Sequence, residues 1–569
     1  MVWKWVRNAT VVLFLPFAFQ ACAGFDDATD LEVINQNAPD AARALSTPGD
    51  IEALIGSGFQ IWHSANEWEG PSQMLSTGGD EGSYSWGNFA VKDVSSEPRV
   101  IWNNASSYTY AYANEDTWFT NYEALSAVFD GLKAIAADET IKNKINVPRV
   151  EAYAKFIQGL AHGWLALMFD SAFVFDESIN LETDQLELQA YPAVMAAALG
   201  YLDEAIDGAN NASWSLPPSW INGNTLTGPQ LAAVARGYAA RFLSQVGRTP
   251  ADRAAQSWDR ILGYASNSIA TDLMVASDGA DQWFKSLEWR STEGRTWARA
   301  DYRTIAVTEA GTGGGYDAWL ATPVAFRQPF DLDVPDRRVT SGPPPHTEFV
   351  EAGLDFGHWG QPDHPEARGT YHWSFYGHSR YNAYPNSGGV TDMTFMTVVE
   401  MDLIEAEARI RLNQAGAAAL INNTRESRGN LPPVNDNDAD LMESLMYETQ
   451  IETFFLCAGC PYFNRRGWAP LADNGATHHF GLITGSPLHW PIPGSELEVL
   501  QKKNYTFGGK GNEGAVLTAA APAAGNSVTG VPAWRVYTLG EFDSAREKLE
   551  FIRSKRAVSA GVVQLSRYR

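Results

Sequence analysis

The chain has 569 residues, 45% hydrophobic and 12% aromatic, with 20 Trp, 21 Tyr and 27 Phe. That much apolar material excludes a disordered or collagen-like chain, and three Cys exclude a disulfide-dense scaffold. A formal charge of −25, from 42 basic and 67 acidic residues, argues against nucleic acid as a main partner, because binding phosphates needs clustered positive charge.

Residues 1–8 carry Lys4 and Arg7 and no acid, residues 9–19 are an apolar run, and Ala21 precedes Cys22. This is the order of a secretory signal, and the small residue before Cys22 makes it a lipoprotein signal in preference to an ordinary cleaved one. Cleavage after Ala21 would put acyl chains on Cys22 and anchor the protein to a membrane. It would remove two basic residues and no acid, taking the charge from −25 to −27. Thr47-Pro48 can open a helix over roughly 49–64. Residues 66–115 are rich in Gly, Ser, Asn and aromatic residues and read as long ordered loops. Apolar residues spaced by three and four then predict helices at about 115–137, 149–170, 190–209, 228–246 and 251–269. Paired helices of this length, with short or Pro-rich loops, suggest a tetratricopeptide-like array, with an irregular helical domain as the alternative. Residues 271–390 lose the helical period and are too long for a plain connection, which points to function. Helices return at about 395–415, 417–429 and 441–456, the last with Asp440 and Glu443 placed for a capping box. Residues 514–530 are Ala/Gly-rich and read as a linker. A helix at about 541–556 follows, in a tail (535–569) with eight basic and four acidic residues.

Catalytic and cofactor motifs are missing from the sequence. The runs at 507–511 and 311–315 lack the glycine spacing of phosphate-binding loops. Asp436-x-Asp438-x-Asp440 imitates half a calcium loop, yet has no following glycine and puts Tyr447 where the bidentate Glu belongs, so it reads as a solvated turn and helix cap. Cys457-Ala458-Gly459-Cys460 reads as a local disulfide, with a buried reduced pair second and a zinc site completed by His478 and His479 a distant third. Glu448 and Glu452 share a helix face and read as exposed helix charge; Glu405 and Glu407 face different ways. No metal site and no cofactor is legible. What stands out is aromatic residues outside the helices, among them Trp68, Tyr84, Trp86, Trp102, Tyr108, Tyr110 and Tyr112 in the first irregular region, and Trp283, Trp289 and Trp319 in the second. Sugar C–H faces stack on such rings, and neighbouring Asn, Asp and Arg can take the hydroxyls. For any one ring a role as buried loop anchor is the competing reading.

Several blocks in order resemble the SusD/RagB-like outer-membrane nutrient-binding lipoproteins. They are Trp118-x-x-x-Tyr122, Glu151-Ala152-x-Ala154-Lys155-Phe156, Asp336-Arg337, Leu403 to Ala408, Ile421-Asn422-x-x-Arg425-x-x-Arg428-Gly429, Glu448-x-x-x-Glu452, Phe463-x-Arg465-Arg466 and Pro491-Ile492-Pro493-x-x-Glu496. The resemblance runs to about residue 509. It implies a mainly α, SusD-like tetratricopeptide (TPR) helical scaffold over 22–513, with a long irregular ligand-binding face. It also implies a SusC-like TonB-dependent transporter as partner, a cell-surface location on the outer membrane, and an oligosaccharide, or in some relatives a peptide, as cargo. Carried over by position, the ligand residues would be Trp86, Trp102 and Asn104, with Trp283, Trp289 and Trp319. The tail beyond 514 has no counterpart in the resemblance. The expected function is therefore capture and delivery of a glycan without turnover. The rivals are a surface glycan hydrolase on a helical scaffold and a peptide-binding TPR adaptor.

Overall fold

The computed structural model describes residues 47–518 apart from 69, 85–86, 181–182, 280–282, 293–297, 349, 361–373, 474–478 and 516. Contacts divide the chain into Ser46–Thr538 and a unit of Met1–Leu45 with Leu539–Arg569; every described residue belongs to the first. The signal segment, Cys22 and the helix expected at 541–556 lie outside the described residues.

The fold is mainly α. Its principal helices are α1 (Pro48–Gly56), α2 (Gly58–Asn66), α3 (Pro71–Gly78), α4 (Tyr112–Ala137), α5 (Val147–Met168), α6 (Tyr191–Ala209), α7 (Gly228–Gln245), α8 (Trp258–Ala265), α9 (Val398–Arg411), α10 (Ala417–Arg425), α11 (Leu441–Glu452) and α12 (Cys460–Trp468). The helix expected over 49–64 breaks in two at Ser57, whose hydroxyl donates back to the Leu54 carbonyl at 2.7 Å. The one expected over 251–269 breaks after the short helix Pro250–Ala254, where the Trp258 indole donates to the Arg253 carbonyl at 3.0 Å. Residues 392–396 form a strand instead, buried from Met393 to Met396, and pair antiparallel with Leu273–Ala276. Helix α9 begins only at Val398, where the Thr397 hydroxyl accepts from the Glu400 amide.

The Asp-rich turn before α11 is a cap, but for a different helix. Asp440 makes no side-chain cap bond. Asp436 instead accepts from Gly416 and Ala418 N–H at 2.7 and 2.8 Å, satisfying donors at the start of α10.

The helical layer is close-packed through small residues. A Cβ at Gly159 of α5 would collide with Leu202 of α6, and one at Gly163 with the Phe242 ring of α7. The C-terminal carbonyls of α5, left without intrahelical partners, are taken by the buried Arg248, which donates to Ala166 O at 2.6 Å, Phe169 O at 2.9 Å and Leu167 O.

The 271–390 segment is a second ordered layer. It carries a three-stranded antiparallel sheet of Val350–Glu351, Phe356–His358 and Tyr376–His378. Its own apolar core joins Tyr302, Ile305, Tyr316, Leu332 and Phe356 to Ile451 and Phe454 at the end of α11.

Two buried ion networks tie this layer down. Arg338, fully buried, donates to Asp336 at 2.6 Å, Glu448 at 2.6 Å and Glu452 at 2.8 Å. Arg428 pairs with Asp355 and Glu452, Arg380 with the same two acids, and Arg425 lies 3.7 Å from Glu448. Glu448 and Glu452 are thus core ligands of arginine, not exposed helix charge. The second network joins Asp80 to Arg99 at 2.7 Å and Glu97 to Arg303 and Arg327 at 2.6 and 3.2 Å. Glu407 grips Arg253 and Arg411, which hold its carboxyl down to about 2 against the cost of burial.

Cys457 and Cys460 are joined in a buried disulfide at the start of α12.

Two predictions follow from the buried charges. Removing one partner leaves the others unpaired in the interior, so Arg338→Met should cost about 3–5 kcal/mol in denaturant unfolding; a loss below 1 kcal/mol would contradict the network. Burial also pushes the carboxyls of Glu81 and Glu496 up to about 8. The unfolded chain releases these protons near the ordinary carboxylate range and the folded chain does not. Stability therefore falls as pH rises from about 4.5 to about 8, by up to ~1.4 kcal/mol per pH unit for each group. Relative to the parent, Glu496→Gln should therefore make the melting temperature fall less, or rise more, as pH goes from about 4.5 to about 8; a slope equal to the parent's would mean Glu496 is already ionised in the folded chain.

Candidate ligand pocket

The segment between Val91–Ser95, a one-turn helix, and α4 folds back against residues 506–508. The Trp102 amide donates to Phe507 O at 3.1 Å, and Thr506 Oγ1 donates to Trp102 O at 2.7 Å. Gly508, Gly509 and Gly511 have φ of 95°, 80° and 85°, a region costly for residues with a Cβ, and this lets the 507–511 turn run alongside Val100–Trp102. Arg99 pins three segments at once: it donates to Asp80, to Ser486 Oγ at 3.3 Å and to Ser96 O at 3.4 Å.

These contacts leave a pocket of about 250 Å³, lined by Asp93, Val94, Arg99 to Asn103, Tyr108, Pro487 and Trp490. That is below the roughly 300–1,000 Å³ of ordinary ligand clefts and suits a single ring or side group. Its rim is apolar and open: Val100 and Ile101 are 50% and 48% exposed. Its charged groups are Arg99, neutralised by Asp80, and Asp93, which accepts from the Tyr108 hydroxyl. Burial and the Asp93 carboxylate both push the Tyr108 hydroxyl well above the usual phenol range, so it stays a neutral donor.

A run of rings leads away from the pocket. Trp490 meets Trp102 edge-on at 4.9 Å and 88°, Trp102 meets Tyr108 at 5.4 Å and 87°, Tyr108 meets Tyr110 at 5.6 Å and 88°, and Tyr110 meets Tyr112 at 6.3 Å. These are the favoured edge-to-face contacts of aromatic pairs. Tyr108, Tyr110 and Tyr112 are half-buried.

The structure distributes the six residues carried over from the sequence very unevenly. Trp102 lines the pocket, although most of its surface is covered. Asn104 is a buried brace, donating to Ile492 O at 2.8 Å and to Asn504 Oδ1 and Tyr505 O at 3.0 Å. Trp86 lies outside the described residues. Trp289 is half-buried, edge-on to Tyr384 at 5.8 Å. Trp283, 6% exposed, stacks on His63 at 5.7 Å and Phe59 at 6.2 Å. Trp319, 4% exposed, sits between the Arg303 and Arg327 guanidiniums at 5.1 and 4.4 Å. Trp283 and Trp319 are therefore core residues here, with the rings taken up by neighbours from distant segments. Of the pocket lining, Trp102 and Tyr108 are legible in the sequence, whereas Asp93, Val100, Ile101, Pro487 and Trp490 carry no signal beyond the nearby Pro491-Ile492-Pro493 block.

Comparison with protein-family models and with curated proteins found no match. Among solved structures, the chain is similar to a SusD superfamily protein from Parabacteroides distasonis, at 13% identity and a TM-score of 0.51 over 79% of this chain and 97% of that one. It is also similar to a SusD superfamily protein from Bacteroides fragilis (14% identity, 81% and 99% covered, TM-score 0.49) and to a SusD-like carbohydrate-binding protein from the same species (12% identity, 74% and 86% covered, TM-score 0.49). The fold of this chain is the SusD fold, the helical scaffold that the sequence blocks implied.

The burial of the tryptophans makes a direct prediction. Trp319→Ala and Trp283→Ala should each cost about 3–5 kcal/mol of stability, as truncation of buried aromatic residues does. Tyr110→Ala, at a half-exposed ring, should leave the melting temperature within a few degrees of the parent. Thermal unfolding of the three variants decides it.

Proposed function

We propose that this chain is a SusD-type surface lipoprotein that binds a glycan and delivers it to a SusC-like TonB-dependent transporter in the outer membrane. The observation that carries the reading is the small open pocket with its run of tyrosines, placed on a SusD fold in the segment leading into α4. Apolar ring faces take sugar C–H faces, while Asp93, Asn103 and the Tyr108 hydroxyl lie along the same wall for hydroxyl groups. Cleavage of the lipoprotein signal over residues 1–21 leaves an acylated Cys22 to carry the membrane anchor. A binding role suits the pocket chemistry better than hydrolysis. A glycosidase needs two carboxyl groups flanking the bond, and among the described residues Asp93 is the one carboxylate in the lining.

The test has two parts. The tagged chain, purified gently from the outer membrane of its host, should bring down a TonB-dependent barrel in comparable amount. In titrations against a glycan panel, Tyr108→Ala or Tyr110→Ala should weaken binding about tenfold, the size of one lost aromatic contact, and Tyr110→Ala should do so with the melting temperature within a few degrees of the parent. A soluble chain without a barrel partner, or full glycan affinity in both variants, would sink the reading.

A further inference from the structure

The pocket wall is built partly from the chain's own exit. Residues 506–513 run along it: Phe507 O accepts from Trp102 N–H, Ile101 bridges Gly508, and Glu513 O accepts from Leu488 N–H. The chain then turns back, and Leu517–Thr518 pairs antiparallel with Tyr505–Thr506. The described part thus ends within a few residues of the pocket rim. Beyond it, twelve residues rich in Ala and Gly lead to the run Val531-Pro-Ala-Trp534-Arg535-Val-Tyr537. A stretch of twelve residues can span up to about 40 Å. The run is apolar and aromatic with a single cation. The rim offers the complement: Val100 and Ile101 side by side, about half exposed, above a pocket lined by the Asp93 carboxylate, which makes no ion pair among the described residues.

We propose that residues 531–537 of this chain dock on the Val100–Ile101 rim, with the Trp534 ring on the apolar edge and Arg535 toward Asp93, so that the chain's own tail competes with the ligand for the pocket. Covalent attachment makes the docking intramolecular, so even a weak contact is populated. The competition rests on the glycan reading of the pocket; the docking does not.

Hydrogen exchange on the full chain tests it. Peptides spanning 97–103 should exchange several-fold more slowly in the parent than in Trp534→Ala or Arg535→Glu. A synthetic peptide of residues 529–539 added to the Trp534→Ala chain should restore the protection, and a scrambled peptide should not. Neither variant should shift the melting temperature. Equal exchange in parent and both variants overturns the proposal. So does protection that scales with protein concentration, which would mean a second copy covers the rim. If the variants lose protection and bind glycan more tightly, both the docking and the competition stand. If they lose protection with glycan affinity unchanged, the docking stands and the pocket is not the glycan site.

Discussion

The buried guanidinium of Arg338 is the interaction on which the two layers depend. It is held by Asp336 from its own loop and by Glu448 and Glu452 from α11, one turn apart on the helix. Around it Arg380, Arg425, Arg428 and Asp355 complete a set of four guanidiniums and four carboxylates. Each charge alone would be expensive to bury; together they are balanced and bonded. A shift of the loop relative to α11 would unpair several at once. The network therefore specifies where the 271–390 layer sits more than it adds to stability.

The same logic explains the position of the pocket. Its wall is a loop with few apolar anchors of its own, and Val100 and Ile101 face outward. What holds the wall is Arg99, tied to Asp80 in the second ion network, and Asn104, which braces the loop against residues 492 and 504–505. A preformed binding face needs this kind of fixation, since every rotamer left free must be ordered on binding. The ring run then extends the wall at little conformational cost, because each tyrosine already packs edge-on against the next.

Aromatic residues in this protein therefore do two different jobs that look alike in sequence. Trp319 between two arginines and Trp283 on His63 are structural, their polarizable faces spent on neighbours buried with them. Tyr108 and Tyr110 keep part of their surface in solvent. The difference is not in the local composition, which is rich in Gly, Trp and Tyr around both sets.

The sequence by itself determined the helical elements, because a 3.6-residue apolar period requires only local information. The ranges of α4 to α7 were legible to within three residues. The motif order was legible too, and with it the fold. Which charges are buried was not: Glu448 and Glu452 look like an exposed i, i+4 pair until Arg338, over a hundred residues earlier in the chain, is brought against them. The site was half legible, since Trp102 was singled out and Trp490 was not. A pocket wall made from residues near 100, 487 and 508 exists only after segments some four hundred residues apart are hydrogen-bonded together. Burial is a property of that assembly, and no periodicity within a loop encodes it.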